Sequence, residues 1–141
     1  KRYVWWVKDD LDLRRMQSAA ELFRGFHDFT SFADKRIDKH LSTQVKIERM
    51  EILSREELIV FRIVGSHFLW KMVRRLVGIL VEIGRGTFSA ADVARFLTSA
   101  SDLPARCTAP ASGLFLAQVL YEGDVLAPLV LPPLPFWTGK Q

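Results

Sequence analysis

Arg74 sits inside the most regular apolar stretch of the sequence, Phe68 to Gly84, and a cation in that setting needs a reason. At roughly 100° per residue, Leu69, Met72, Leu76, Ile79, Leu80 and Ile83 form one broad apolar face. Arg74 points almost directly away from its centre, among Trp70, Val77, Val81 and Gly78, with Lys71 beside them. A helix that is apolar nearly all round is covered on both sides. An arginine there calls for an anionic partner, because an unpaired buried charge is expensive. The chemistry open to it is the holding of a carboxylate or of a phosphate. Spacing alone does not decide between them, and an arginine lying over the surface of an ordinary helix has the same pattern. Gly78, one turn on, costs about 1 kcal/mol of helix propensity relative to alanine and is expected to leave space beside the guanidinium.

Other reactive side chains give less. His27, His40, His67 and Cys107 show no short ligand pairing of the C-x-x-C or H-x-x-x-H kind, so no metal is expected. His67 is expected to cap or pack at the start of the Phe68–Gly84 helix, and Cys107 to act as a small apolar filler. Ser31 and Ser112 have no histidine and carboxylate arranged around them in sequence, which leaves a hydrolase triad unsupported. Lys71 and Arg75 flank Arg74 and are candidates for phosphate contacts. Lys35, Arg36 and Lys39 are partly cancelled by Asp34 and Asp38, and Ala33 to Ser42 reads as a solvated loop.

The elements that must position these residues can be read along the chain. Arg2 to Val7 is rich in strand formers. Asp12 stands where an N-cap should, Leu13, Met16, Ala20 and Phe23 follow at helical spacing, and Gly25 closes the segment. His27 to Phe32 is turn-like and carries two aromatics. Val45 and Ile47 alternate with polar residues until the phase shifts near Met50, which suggests a bulge. Leu58 to Val64 is a second β-run, and Ser54 to Glu57 supplies the turn of an antiparallel hairpin. Ser89-Ala90-Ala91-Asp92 resembles a capping box opening a short helix with Val93, Phe96 and Leu97 inward. A loop containing Pro104 and Pro110 leads to Gly113, and Leu114 to Tyr121 reads as another strand. The predicted sum is an α+β domain: an antiparallel sheet from segments near Tyr3, Val45, Val60 and Leu116, with helices packed on one face. Residues 1–126 form this unit and 127–141, with four prolines, form an extended tail.

Composition agrees with a globular domain. The chain of 141 residues is 49% hydrophobic and 26% charged, enough for a real core and too apolar for global disorder. A single cysteine excludes an intrachain disulfide. Lys71, Arg74, Arg75 and Glu82 interrupt the longest apolar run, so no membrane span is expected, and no signal peptide is visible. A net charge of +4 favours a polyanionic partner only weakly.

Three segments carry a resemblance. His27-Asp28-Phe29-Thr30-Ser31-Phe32 resembles the "hDFssF" segment of TruA-type tRNA pseudouridine synthases. Gly65 through Gly78, continuing to Gly86, is similar to their "gnsFlwhMVRrivG" segment, and Thr108 to Leu116 to their "TAPpsGLyL" strand entry. The likeness covers most of the chain from about Leu11 to Tyr121, in family order.

The resemblance implies half of a pseudouridine synthase-like domain. It gives Arg74 a catalytic role as partner of the family's aspartate, which it would hold ionised and oriented. It places Leu114 against the target base. It makes Lys71, Arg75, Lys35 and Arg36 candidates for RNA contacts. The implied reaction is isomerisation of uridine to pseudouridine in the tRNA anticodon stem-loop, with no cofactor or metal. The implied partners are tRNA, a second copy in a homodimer, and an N-terminal half of the same enzyme; no membrane partner is implied. The expected location is the cytoplasm or an organelle. The family's "GRTDaGVHa" segment does not occur, and Gly84-Arg85-Gly86 has no aspartate, so this polypeptide is expected to be inactive alone. The alternatives are a non-catalytic RNA-binding module or a dimerisation scaffold of the same fold.

Overall fold

The computed structural model describes residues 4–34, 36 and 40–113. Its elements are helix α1 (Leu13–Leu22), strand β1 (Gly25–Asp28), a short 3-10 turn (Thr30–Phe32), β2 (Gln44–Arg55), β3 (Leu58–Gly65), α2 (Met72–Arg85), α3 (Ala90–Thr98), α4 (Leu103–Arg106) and a second 3-10 turn (Ala111–Gly113). The strands form an antiparallel sheet in the order β1-β2-β3, and helices pack on it, so the α+β class holds. The strand expected at Arg2 to Val7 is not formed by residues 4–7, the part of it that is described: Trp5 and Val7 pack half-buried against the core without pairing to the sheet. The strand expected at Leu114 to Tyr121 and the proline-containing tail lie outside the described residues.

Local sequence explains most of the elements. Asp12 caps α1, its side chain accepting from the Arg15 N–H at 3.2 Å, and Met16, Ala19 and Ala20 are its buried positions. The β2–β3 hairpin turns through Glu56 and Glu57, with Glu56 in the left-handed region at φ 55°. Its register shifts between Ile47 and Arg49, close to the predicted bulge. Val45 and Ile47 therefore face inward before the shift, and Met50 and Ile52 after it. Ser89 and Asp92 form the capping box of α3, where Val93 and Phe96 are buried and Leu97 half-buried.

Three further readings need correction. His27 to Phe32 is not only a turn. Gly25–Asp28 is a strand paired to β2, and a turn begins at Thr30, whose N–H and hydroxyl both bond to Asp28 at 3.0 and 2.6 Å. The Pro104 region, read as a loop, contains the one-turn helix α4, with proline in its first turn where no N–H is needed. Helix α2 starts at Met72, not Phe68. Lys71 before it is left-handed at φ 66°, and the Trp70 carbonyl accepts from the Asp34 N–H at 3.0 Å instead of entering the helix. Leu69 stays buried, while Phe68 and Trp70 turn outward.

The core joins α1, the inward face of β2, α2 and α3. At its centre Phe23, Phe29 and Phe32 are fully buried, with Phe32 edge-on to Phe23 at 5.4 Å and to Phe96 at 6.3 Å. Phe29 and Phe32 are the aromatics of the 27–32 segment, so that motif is first a packing unit. Phe32→Ala should therefore lower unfolding free energy by about 3–5 kcal/mol, whereas Phe26→Ala, at a ring that is 65% exposed, should change it by less than about 0.5 kcal/mol. Urea denaturation of the two variants checks this, and equal losses would contradict the assignment of the core.

Candidate active site

The site is built on the N-terminal half of α2. Its residues Met72 to Arg85 include no exposed position, so every side is in contact with something. Arg74 meets the segment 107–109, which crosses the helix. The Arg74 Nε donates to the Ala109 carbonyl at 2.7 Å, and the Ala109 N–H donates back to the Arg74 carbonyl at 3.0 Å. These are the bonds that Arg74 makes among the described residues, and its two terminal nitrogens are left without one there. The expected opening beside it is not present. A Cβ at Gly78 would lie 1.5 Å from the Cys107 carbonyl oxygen, so the glycine admits backbone rather than leaving space.

The neighbouring cations go elsewhere. Arg75 is 9% exposed, donates from Nη1 to the Ala33 carbonyl at 2.8 Å, and reaches Asp34 with Nη2 at 3.8 Å. Burial pushes its guanidinium below its ordinary pKa, and the Asp34 carboxylate opposes that. Its Nε is buried without a partner among the described residues.

Asp34 itself is the clearest departure from the sequence reading. Expected in a solvated loop, it is 7% exposed and is the hub of the cluster. It accepts from the Arg36 N–H at 2.9 Å and Nε at 3.2 Å, and Lys71 Nζ lies 3.2 Å away. The Arg36 side chain and backbone N–H, with Lys71 adding to them, hold its carboxyl well below the usual carboxylate range against the effect of burial. The cluster explains the left-handed Lys71. That backbone costs about 1 kcal/mol, and the Lys71 side chain and the Trp70 carbonyl are both tied to Asp34. Trp70, 48% exposed, lies under the Arg36 guanidinium at 4.6 Å and the Lys71 ammonium at 5.4 Å.

Of the predicted site residues, the structure brings Lys71, Arg75 and Arg36 together around one carboxylate and sets Arg74 apart on the 107–109 segment. Lys35 and Leu114 lie outside the described residues. His67 does not cap α2. Its Nε2 lies 2.9 Å from the Ser42 carbonyl and its Nδ1 3.3 Å from Ser66 Oγ, so it ties two loops together. Ser31 links the Thr30–Phe32 turn to the end of α3, donating to the Ser99 carbonyl at 3.3 Å and accepting from the Ser101 N–H at 2.8 Å. Cys107 is half-buried, and burial pushes its thiol pKa up, which suits the filler role. Sequence reasoning missed Asp34, the close approach at Gly78 and the anchoring by Ala109. The one usable signal was Asp34 itself, an acid two residues after an aromatic and two before an arginine.

Fold and site together define an α+β unit built around a fixed arginine. The model of the tRNA pseudouridine synthase family matches residues 19–122, well over half of the chain. Proteins named tRNA pseudouridine synthase A are similar to it. The one from Borrelia duttonii is 39% identical over 119 residues, covering 84% of this chain and 48% of that protein. The Geobacillus kaustophilus protein is 38% identical over 128 residues, covering 89% and 48%, and the Limosilactobacillus fermentum protein 40% over 124, covering 86% and 48%. The chain belongs to the tRNA pseudouridine synthase family and is of the TruA type. It spans about half the length of the curated relatives it matches.

The Asp34 hub gives a pH test. A carboxyl whose native pKa lies below its unfolded value contributes stability that is full above the unfolded pKa, about 4, and is lost as pH falls towards the native value. Asp34→Asn should lower the urea midpoint at neutral pH, and the gap to wild type should begin to close below roughly pH 4. A gap that stays constant as the pH is lowered through that window would show that Asp34 is not held as a carboxylate.

Proposed function

We propose that this chain is the arginine-bearing part of an enzyme that isomerises uridine to pseudouridine in the anticodon stem-loop of tRNA. In that reaction the bond from the ribose C1′ to N1 of uracil breaks, the base rotates, and C1′ bonds to C5. The hydrogen on C5 is released and N1 takes up a proton, so the balance needs no oxidant, reductant or cofactor. Arg74 holds the aspartate that acts at the ribose, keeping it ionised and fixing its plane. Leu114 packs against the displaced base. The observation that carries the reading is the fixing of Arg74 through Nε on Ala109, with the terminal nitrogens left to clasp a carboxylate. Family membership and the names of the relatives support it.

The aspartate comes from a segment that this sequence does not contain, since no Gly-Arg-Thr-Asp string occurs in it. The N-terminal half of the enzyme supplies it, and the enzyme works as a homodimer on tRNA. Three cations around one carboxylate leave the Asp34 cluster net positive, which suits the rim of a groove for a polyanion. In this reading Lys71, Arg36 and Lys35 face phosphates. Arg75 holds Ala33 and Asp34 from within and does not reach the RNA.

Residues 1–141 alone should release no tritium from tRNA labelled at uridine C5. Clear turnover by the purified chain would show that the site is complete without a further segment. In the full-length protein, Arg74→Ala should slow the single-turnover rate on the order of a hundredfold, the scale for one preorganised electrostatic contact, and leave tRNA affinity essentially unchanged. Arg74→Lys should rescue poorly, because a point charge does not reproduce a two-pronged clasp. If Arg74→Ala instead weakens binding, lowers its salt dependence by about one phosphate contact and spares the saturated rate, Arg74 is an RNA anchor.

A further inference from the structure

We infer that Gly78 and the Ala109 carbonyl are positioning groups that set the pose of Arg74, so that a carboxylate is taken end-on by its two terminal nitrogens. The inference rests on the reading of Arg74 given above and goes further, because it assigns the device that aims the guanidinium.

A free arginine can meet a carboxylate in two ways, side-on through Nε and one terminal nitrogen, or end-on through both terminal nitrogens. Here Nε is already committed to the Ala109 carbonyl at 2.7 Å, which leaves the end-on mode. The same residue is fastened a second time, by the Ala109 N–H on the Arg74 carbonyl at 3.0 Å. The two bonds run in opposite directions between one pair of residues, so the 107–109 backbone cannot slide along α2 without breaking one of them.

The pair can form only if that backbone is pressed onto the helix one turn further on. An added Cβ at Gly78 would stand 1.5 Å from the Cys107 carbonyl oxygen, 2.7 Å from the Cys107 carbonyl carbon and 3.4 Å from the Ala109 nitrogen. These are main-chain atoms, which cannot rotate away as a side-chain end could. Gly78 lies within the helix and is not at a positive φ, so no backbone conformation demands glycine there. Alanine would be the better helix former, and the close approach is what excludes it. Any side chain at position 78 must lift the segment and draw the Ala109 carbonyl off Nε. The guanidinium then regains its rotational freedom while keeping its charge.

Two measurements test this. The first needs no turnover. In the 1H–15N spectrum of the wild-type protein, the Arg74 Nε–H signal, identified by its loss in Arg74→Lys, should exchange with water slowly, and in Gly78→Ala it should exchange at the rate of an exposed arginine. A freely exchanging signal in wild type overturns the proposal without any variant, and so does a signal still protected in Gly78→Ala. The second is a double-mutant cycle on the single-turnover rate of the full-length protein. Gly78→Ala should cost roughly tenfold in wild type and less than about twofold in the Arg74→Ala background, since a group that acts through Arg74 has nothing left to position. Equal losses in both backgrounds would make Gly78 a general structural residue. If the full-length wild type isomerises no uridine, the functional reading fails, and the exchange measurement still decides whether Gly78 and Ala109 fix the guanidinium.

Discussion

A helix without a solvent face has to be covered on every side, and the rest of the molecule is arranged to cover α2. Its residues Met72–Arg85 are all buried or half-buried. α1 covers one side, approaching so closely that a Cβ at Gly84 would lie 2.7 Å from the Met16 sulfur. The 107–109 backbone covers another, over Gly78. The Thr30–Phe32 turn and Asp34 close the N-terminal end. Each glycine costs about 1 kcal/mol of helix propensity, offset by packing that only a missing side chain permits.

Covering a helix that carries Lys71, Arg74 and Arg75 in its first turn and at its cap forces each charge to find a partner. The three do so differently. Lys71 and Arg75 converge on Asp34, which shares a buried carboxylate between them and Arg36. Arg74, next to Arg75 but turned by roughly 100° on the wheel, meets no acid among the described residues and takes a backbone carbonyl instead. A neutral acceptor leaves its full charge available. That asymmetry between adjacent arginines is the physical basis for assigning one to the frame and the other to the chemistry.

Much of this frame was legible in the sequence because it rests on local rules. The Asp12 cap, the Ser89 capping box and the bulged hairpin each follow from residues within a few positions of one another. The apolar face of α2 and the isolation of Arg74 on it were legible for the same reason. What was not legible depends on contacts distant in sequence. The start of α2 is set at Lys71 by Asp34, far away along the chain, and nothing between Phe68 and Lys71 marks it. The role of Gly78 depends on Cys107, and the fate of Arg75 on Ala33. The strand Gly25–Asp28 is too short to show a period and needs β2 beside it to exist. The pairing of Arg74 with an aspartate came from family resemblance; the geometry contributes the anchor that makes such a pairing directional.

The central claim is that Arg74 is a fixed arginine that serves a carboxylate and not the RNA backbone. A crystal structure of the full-length protein bound to tRNA tests it most directly. The account requires Arg74 Nε on the Ala109 carbonyl and both terminal nitrogens on the two oxygens of one aspartate beside the target nucleotide. Terminal nitrogens placed on a phosphate, with that aspartate held by another residue, would contradict it.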